Sequence, residues 1–512
     1  VFGIFTNIAV AAYYCYIESW TMSYVYHSIV GTFDGMSQAD VAGFFNSYVD
    51  IAHSTTGIPY EAVIFYIICL LLNTWILSKG LGGIEKVAKI GMPLLILFGV
   101  ILAVRGVTLG TSGASEIFPN ANAWDGLNFL WTPQFDSLAN PKVWLAAAGQ
   151  IFFTLSVGMG TIHCYAAYLK ERDDVALNAV SAGFMNEFVE VVLGSLIVIP
   201  IAAGYLGLDW VIQNAGFGMA FQTMPYLFQQ WGGVIAILAG VFWFGLLFFA
   251  GITSSLAMGT PWMGFMSDEF GWSKNKGAWS FGALALVMGL PTVIFYNQGV
   301  FDQYDYWAGT VSLVVFAFLE TVLFSYVFGI NRGWEEINKG ADIKLPQFYK
   351  YVILIITPLL LGAVLVSSIP DWVNQVQNND THNKEWFAEN YFAENFEGSG
   401  TVSGKVVDVK SDYVKFEFEN QRKKFDKVSN QVLVEKFNDT KEYKFDGSLN
   451  QEAIVKVGDV IKPGDAIAKG DFTNNTLYKF IGRMLLLTLF FFFSIIVYVA
   501  YKKRVKEGRA TL

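Results

Sequence analysis

Apolar residues in this chain fall in long blocks and not in the alternating pattern of half-exposed strands. Ten blocks of roughly 20 residues or more stand between polar stretches, the length a helix needs to cross about 30 Å of hydrocarbon. They lie at about 1–29, 60–78, 86–107, 144–168, 176–206, 232–265, 278–296, 306–329, 348–369 and 479–501. One block is flawed. Between Trp144 and Tyr168 its middle reads Phe153-Thr154-Leu155-Ser156-Val157-Gly158-Met159-Gly160. Two glycines and two hydroxyls weaken a helix where lipid offers the backbone no other partner. A break at that depth is tolerated only where it lines a protein-enclosed cavity. Broken helices whose ends face small solutes and ions occur in secondary transporters. Small residues also allow plain close packing of helices.

Composition strengthens the membrane reading. Of 512 residues, 54% are hydrophobic and 15% charged, too apolar for a soluble chain of this size. Lys and Arg in short loops set the orientation. One set of loops carries Lys79, Lys86, Lys89, Lys170, Arg172, Lys274, Lys276, Arg332, Lys339 and Lys344, and the tail adds Lys502, Lys503, Arg504, Lys506 and Arg509. Residues 30–59, 207–231 and 297–305 contain no Lys or Arg. The expectation is a multi-pass protein of the cell (inner) membrane with a cytoplasmic C-terminus. The chain opens on Val1, already inside an apolar block, which reads as an N-terminal truncation.

Three regions follow: a membrane core at 1–370 with nine spans, an insert at 371–478, and the last span with its basic tail at 479–512. The insert is polar and carries strand patterns at 404–410 and 413–419. Residues 455–468 resemble the turn-and-strand pattern of small lipoyl-like barrels. By topology the insert lies outside the cell. The outward loop 207–231 holds Trp210, Phe217, Met219, Phe221, Met224 and Phe228. It is expected to fold back as short helices, like a lid; contact with the lipid surface is the alternative.

Candidate chemistry is sparse and specific. Cys15, Cys69 and Cys164 sit in apolar blocks and read as packing residues. His27, His53, His163 and His382 show no metal spacing, and no phosphate loop, dinucleotide glycines or nucleophile elbow is present. Neither an enzyme, a bound cofactor nor nucleic-acid binding is indicated. Ala250, Thr253 and Ser254 share a helix face, with Met258 one turn on. One carbonyl and two hydroxyls suit a small hard cation, although such hydroxyls often bond the carbonyl four residues back. Asn186 and Glu190 share another face, beside Glu187. An ionisable group inside a membrane span costs about 2.5–3.5 kcal/mol and marks function by default; an interfacial or protonated carboxyl is the alternative. Val10, Tyr14 and Glu18 follow at i+4 steps. Asp302 and Asp305 open the eighth block on one face, where the helix dipole alone would also favour them.

Five ordered stretches together resemble the neurotransmitter:sodium symporter family, in its bacterial amino-acid transporter branch. They are Ala12 to Trp20 (its third helix), Gln150 to Gly160 (the broken sixth), Leu177 to Glu190 (the seventh), Phe249 to Ser255 (the eighth) and Asp302 to Gly309 (the tenth). The resemblance covers nearly all the chain except 371–478. It implies an all-α polytopic membrane protein with the inverted-repeat transporter fold, lacking the first two helices, and with a small β-rich extracytoplasmic domain before the last helix.

The resemblance also implies roles. Val10, Tyr14, Phe153, Thr154, Ser156, Met159, Ser254 and Met258 resemble the substrate pocket, with Tyr14 bonding the substrate carboxylate and Phe153 closing above it. Thr154 and Asn186 match one sodium site; Ala250, Thr253 and Ser254 match a second. Glu190, with Gln150 in its network, stands where chloride-dependent relatives bind chloride, implying chloride independence. Asp305 matches the outer gate, and Tyr168 and Asp268 the inner gate. The implied activity is sodium-coupled symport of an amino acid across the bilayer by alternating access. A chain without the first helix is expected to be inactive itself. The rival is a non-transporting receptor or scaffold on the same fold. Nothing in the sequence sets the particular amino acid, the ion stoichiometry or an oligomeric state.

Overall fold

The computed structural model describes residues 1–49, 58–114, 120–139, 141–213, 219–296, 298–380, 385–387, 404–426, 431–445, 452–461, 466–469 and 473–509. His53, Phe217, His382 and residues 462–465 lie outside them, as does the side chain of Trp210. Two compact units divide the chain, Val1–Val211 with Gly216–Ile369 and Lys479–Leu512, and Ile212–Ala215 with Pro370–Tyr478.

The first unit is helical. In chain order it contains α1 (Phe2–Ile29), α2 (Gln38–Val49), α3 (Tyr60–Ser78), α4 (Leu81–Leu109), α5 (Ala123–Trp131), α6 (Pro141–Thr154), α7 (Thr161–Ala166), α8 (Val175–Glu187), α9 (Val198–Leu206), α10 (Leu208–Gln213), α11 (Met224–Gln229), α12 (Gly233–Phe270), α13 (Lys274–Ile294), α14 (Val300–Tyr304), α15 (Ser312–Val322), α16 (Ile330–Asn338), α17 (Phe348–Tyr351), α18 (Thr357–Asp380) and α19 (Thr473–Lys506). The last two extend past the unit boundary. Among the described residues, eight segments are long and apolar enough to cross a membrane: Tyr60–Ser78, Leu81–Leu109, Val175–Leu206, Gly233–Phe270, Lys274–Ile294, Val300–Asn338, Phe348–Pro370 and Leu477–Lys506. Each coincides with an expected block. The other two expected blocks are α1, whose polar residues lower its hydropathy, and the divided pair α6 and α7.

Helix α1 is buried along nearly its whole length, including Asn7, Glu18 and Ser19, and packs along α12. A helix buried all round is a core element. By contrast, α4 has two distinct faces. Ile90, Leu97, Ile101 and Val104 are exposed, the apolar surface a bilayer covers, while Gly91, Gly99 and Gly106 are buried. A Cβ on Gly106 would collide with the Leu196 carbonyl, so small residues set this helix contact. Helix α12 overruns the expected boundary at 265. It ends at Phe270, where Gly271 (φ +68°) returns its N–H to the last turn, a glycine cap.

Loop 207–231 contains α10, a π-helical turn at Met219–Thr223, and α11. Phe221 is buried, 5.6 Å ring to ring from Trp20 and 5.1 Å from Tyr24. From Met219 to Gln229 the loop therefore folds back as short helices, with Met219, Phe221, Met224 and Phe228 covered by protein and Phe221 set against α1, whereas Ile212 is exposed.

The second unit contains the strands β1 (Glu385–Phe387), β2 (Gly404–Val409), β3 (Tyr413–Asp426), β4 (Gln431–Lys444), β5 (Glu452–Ala453), β6 (Val460–Ile461) and β7 (Ala466–Lys469). They form two sheets, ordered β4-β3-β2-β6 and β1-β7-β5. Val414, Phe416 and Phe418 alternate inward with Val406, Ile461 and Ile467, the period of two that a one-sided strand requires. A paired hairpin, β3 with β4, dominates. Its first strand, β3, runs to Asp426, past the expected strand pattern at 413–419.

Candidate functional site

The interruption between α6 and α7 is a turn that reverses backbone sign three times. Ser156 has φ +53°, Gly158 +76° and Gly160 +77°, and Ser156 is the only such non-glycine among the described residues. Left-handed conformations favour glycine. At Gly158 a Cβ would also strike the Leu313 carbonyl. The break predicted from two glycines is thus present, and one of its carbonyls, that of Met159, accepts from Asn7 on α1.

Two elements bring the expected pocket residues to the break. Tyr14 and Phe153 are 6.5 Å apart ring to ring, and the Tyr14 hydroxyl lies beside that of Ser254 on α12. Val10, Met159 and Met258 are buried; Ser156 is half-buried. An aromatic hydroxyl, a serine hydroxyl and an unwound backbone therefore converge within an apolar surround.

A polar network joins the end of α6 to α8 and the turn after it. The Asn186 amide donates to the Thr154 hydroxyl at 2.8 Å and reaches Glu190 at 3.5 Å. Thr154 and Gln150, one turn apart, each donate to a Glu190 carboxylate oxygen. Glu190 sits in a π-helical turn, Phe188–Leu193, a distortion often found at functional sites. One carboxylate, two amides and a hydroxyl thus form a cluster able to hold a positive charge.

On α12, Thr253 donates to the carbonyls of Phe249 (3.1 Å) and Ala250 (3.0 Å), and Ser254 to Ala250 (3.2 Å). The back-bonding reading therefore describes these hydroxyl protons. It leaves the oxygen lone pairs available, so the hydroxyls still suit a hard cation. Among the described residues no group of three or more His, Cys, Asp or Glu could hold a metal. Any cation here would rely on neutral oxygens.

The gate residues fare unequally. Asp305 lies in a π-helical turn (Asp305–Val311) facing Tyr13, and a Cβ on Gly309 would stand 3.0 Å from its Oδ1. Asp302 feels the charge of Lys479. On the other side, Tyr168 and Asp268 are both exposed, and no hydrogen bond joins them among the described residues. The neighbour of Asp268, buried Glu269, is held by Arg504 (Nε to Oε2, 2.9 Å), and its carbonyl by Lys503 (2.6 Å).

Two features escaped the sequence reading. Asn7 donates to the carbonyls of Gly3 (2.6 Å) and Met159 and accepts from the Thr161 hydroxyl (2.9 Å). Its spacing of i+3 to Val10 and i+7 to Tyr14 places it on their face but does not single it out. Behind Tyr14, Asn73 donates to Glu18 (3.0 Å) and accepts from Ser255 (2.8 Å), a polar link from α1 through α3 to α12.

The family profile of the sodium:neurotransmitter symporters matches residues 37–391. The chain belongs to this family. An uncharacterized sodium-dependent transporter of Methanocaldococcus jannaschii is 29% identical over 375 residues, covering 71% of this chain and 72% of the relative. An uncharacterized sodium-dependent transporter of Haemophilus influenzae is 25% identical over 379 residues, 72% and 78% of the two chains. A sodium-dependent nutrient amino acid transporter of Drosophila grimshawi is 24% identical over 332 residues, 63% of this chain and 50% of that one. The crystal structure of MhsT in complex with L-phenylalanine shares the fold, with TM-score 0.62 and 24% identity over 72% of this chain and 80% of that chain. This symporter-family chain is accordingly a multi-pass membrane protein of a sodium-dependent transporter family, not of an enzyme family.

Proposed function

We propose that this protein couples sodium entry to amino-acid uptake across the cell membrane, with the C-terminus cytoplasmic, residues 371–478 outside, and no need for chloride. The observation that carries the reading is the Gln150–Thr154–Asn186–Glu190 network. Thr154 and Asn186 offer oxygens to a sodium ion, and Glu190 supplies beside them the negative charge that a bound chloride would otherwise provide. Ala250, Thr253 and Ser254 offer a second oxygen set. Tyr14 and Ser254 present hydroxyls to a substrate carboxylate, Phe153 closes above, and Val10, Ser156, Met159 and Met258 receive the side chain. Thr154 belongs to both the ion and the substrate side. Occupancy of one therefore alters the other, and coupling needs that unequal affinity between states. Asp305 serves as the outer gate and Tyr168 with Asp268 as the inner one. The amino-acid substrate of the relatives supports the substrate class.

The test is uptake of labelled amino acids by the full-length gene product in proteoliposomes. Uptake that needs a sodium gradient and persists when gluconate replaces chloride is expected. Equal uptake with and without the gradient overturns the reading.

A further inference from the structure

We propose that Asn7 is a positioning residue for the substrate pocket: it fixes the break against α1 and so sets where the Met159 side chain stands. The inference rests on the reading of Met159 as part of an amino-acid pocket.

Asn7 is fully buried. A side-chain amide offers two donor hydrogens and an acceptor oxygen, and here both ends are used. The nitrogen donates to the carbonyls of Gly3 and Met159; the oxygen accepts from Thr161. Met159 is the last-but-one residue of the unwound stretch and Thr161 the first of α7. Gly160 between them has φ +77°. One amide thus straddles the left-handed residue at which α7 begins. It satisfies a carbonyl that a continuous helix would have bonded internally.

The backbone contact beneath it is equally close. A Cβ on Gly160 would stand 3.1 Å from the Gly3 Cα, so the first turn of α1 meets the break main chain to main chain. Asn7, Val10 and Tyr14 share one face of α1. That face therefore carries both the pocket wall and the clamp on the opposite wall. Met159 is buried, and its direction depends on the backbone that Asn7 holds. Selectivity among side chains is then set partly by a residue that does not touch the substrate.

Three variants test this in the full-length gene product: Asn7→Ala, Asn7→Asp and Thr161→Val. Asn7→Asp keeps the acceptor for Thr161 and loses the donor to Met159. Sodium-dependent binding of labelled L-phenylalanine, L-leucine and L-alanine is measured with the melting temperature. Asn7→Ala and Asn7→Asp are expected to raise half-saturation about tenfold for the best substrate, the scale of a buried hydrogen bond. They are also expected to shift the phenylalanine-to-alanine ratio at least threefold. Thr161→Val should shift the ratio in the same direction, by less. Half-saturation that stays at wild type, or rises equally for all three amino acids as melting temperature falls, overturns the proposal. If the Asn7 variants do not fold, Thr161→Val with an unchanged ratio overturns it. Failure of the parent protein to bind any of the three brings down the functional reading itself, a result visible before any variant is made.

Discussion

The Asn186 amide nitrogen stands 2.8 Å from the Thr154 hydroxyl oxygen, joining α8 to the last residue of α6 at the edge of the break. The pair gives the unwound segment a polar anchor at its N-terminal edge. Replacing Asn186 with Ala removes one oxygen donor and leaves Thr154 and Glu190 without their shared partner. The half-saturation for sodium in uptake is expected to rise about tenfold, the scale of a lost buried hydrogen bond. Unchanged sodium dependence would remove Asn186 from the ion site.

Glu190 makes the sharpest ionic prediction. Glu190→Ser deletes the fixed negative charge and leaves Gln150 and Thr154 facing a neutral hydroxyl. Uptake by the variant should fall to near background in gluconate and recover in chloride. Activity that ignores the anion in both proteins would show that Glu190 does not stand in for it.

Gly158 and Gly183 separate backbone need from composition. At Gly158, φ +76° and the Leu313 carbonyl both oppose a side chain; at Gly183, within α8, nothing lies within 4 Å of an added Cβ. Gly158→Ala should lower the melting temperature and abolish saturable binding. Gly183→Ala should be neutral or mildly stabilising, since alanine is the better helix former. Equal effects would contradict the left-handed turn.

Asp174 offers a pH test at the membrane surface. Its carboxylate accepts the Leu177 N–H at 2.8 Å and the Asp342 N–H at 2.9 Å, and these donors hold its pKa below the usual carboxylate range. A folded-state pKa below the unfolded one gives stability present above the unfolded value, about 3.9, and lost as pH falls through the folded value. Asp174→Ala should therefore lower the melting temperature at pH 7 and cost progressively less below about pH 4. A gap independent of pH would deny the charge a role.

Much of this site is legible in sequence because its signals are local. Ser156, Gly158 and Gly160 lie within five positions of one apolar block, and Asn186 with Glu190 is a single i+4 pair. Asn7 and Asn73 were not legible. Their partners Met159, Thr161, Glu18 and Ser255 are far away in the chain, and a lone asparagine in an apolar block carries no periodicity of its own. The same limit hides the length of β3: Tyr413 to Glu419 alternates cleanly, but Asn420 to Lys424 carries no apolar residue, and only pairing with β4 keeps it extended. Block 1–29 reads correctly as the helix α1, but its length alone did not show that it is buried nearly all round.

Helix α12 runs unbroken for 38 residues, a rod of about 57 Å at 1.5 Å per residue, and Arg504 and Lys503 pin its C-terminal end at Glu269. The wall of the proposed pocket that α12 and α1 supply is therefore stiff. The facing wall, from Phe153 to Gly160, is held by side-chain bonds in place of a helical ladder, and is compliant. In the proposed pocket, differences in substrate size are expected to be absorbed on that one side. Alterations of selectivity belong within those eight residues and the side chains that brace them, whereas changes along α12 trade away the fixed reference against which the compliant wall is measured.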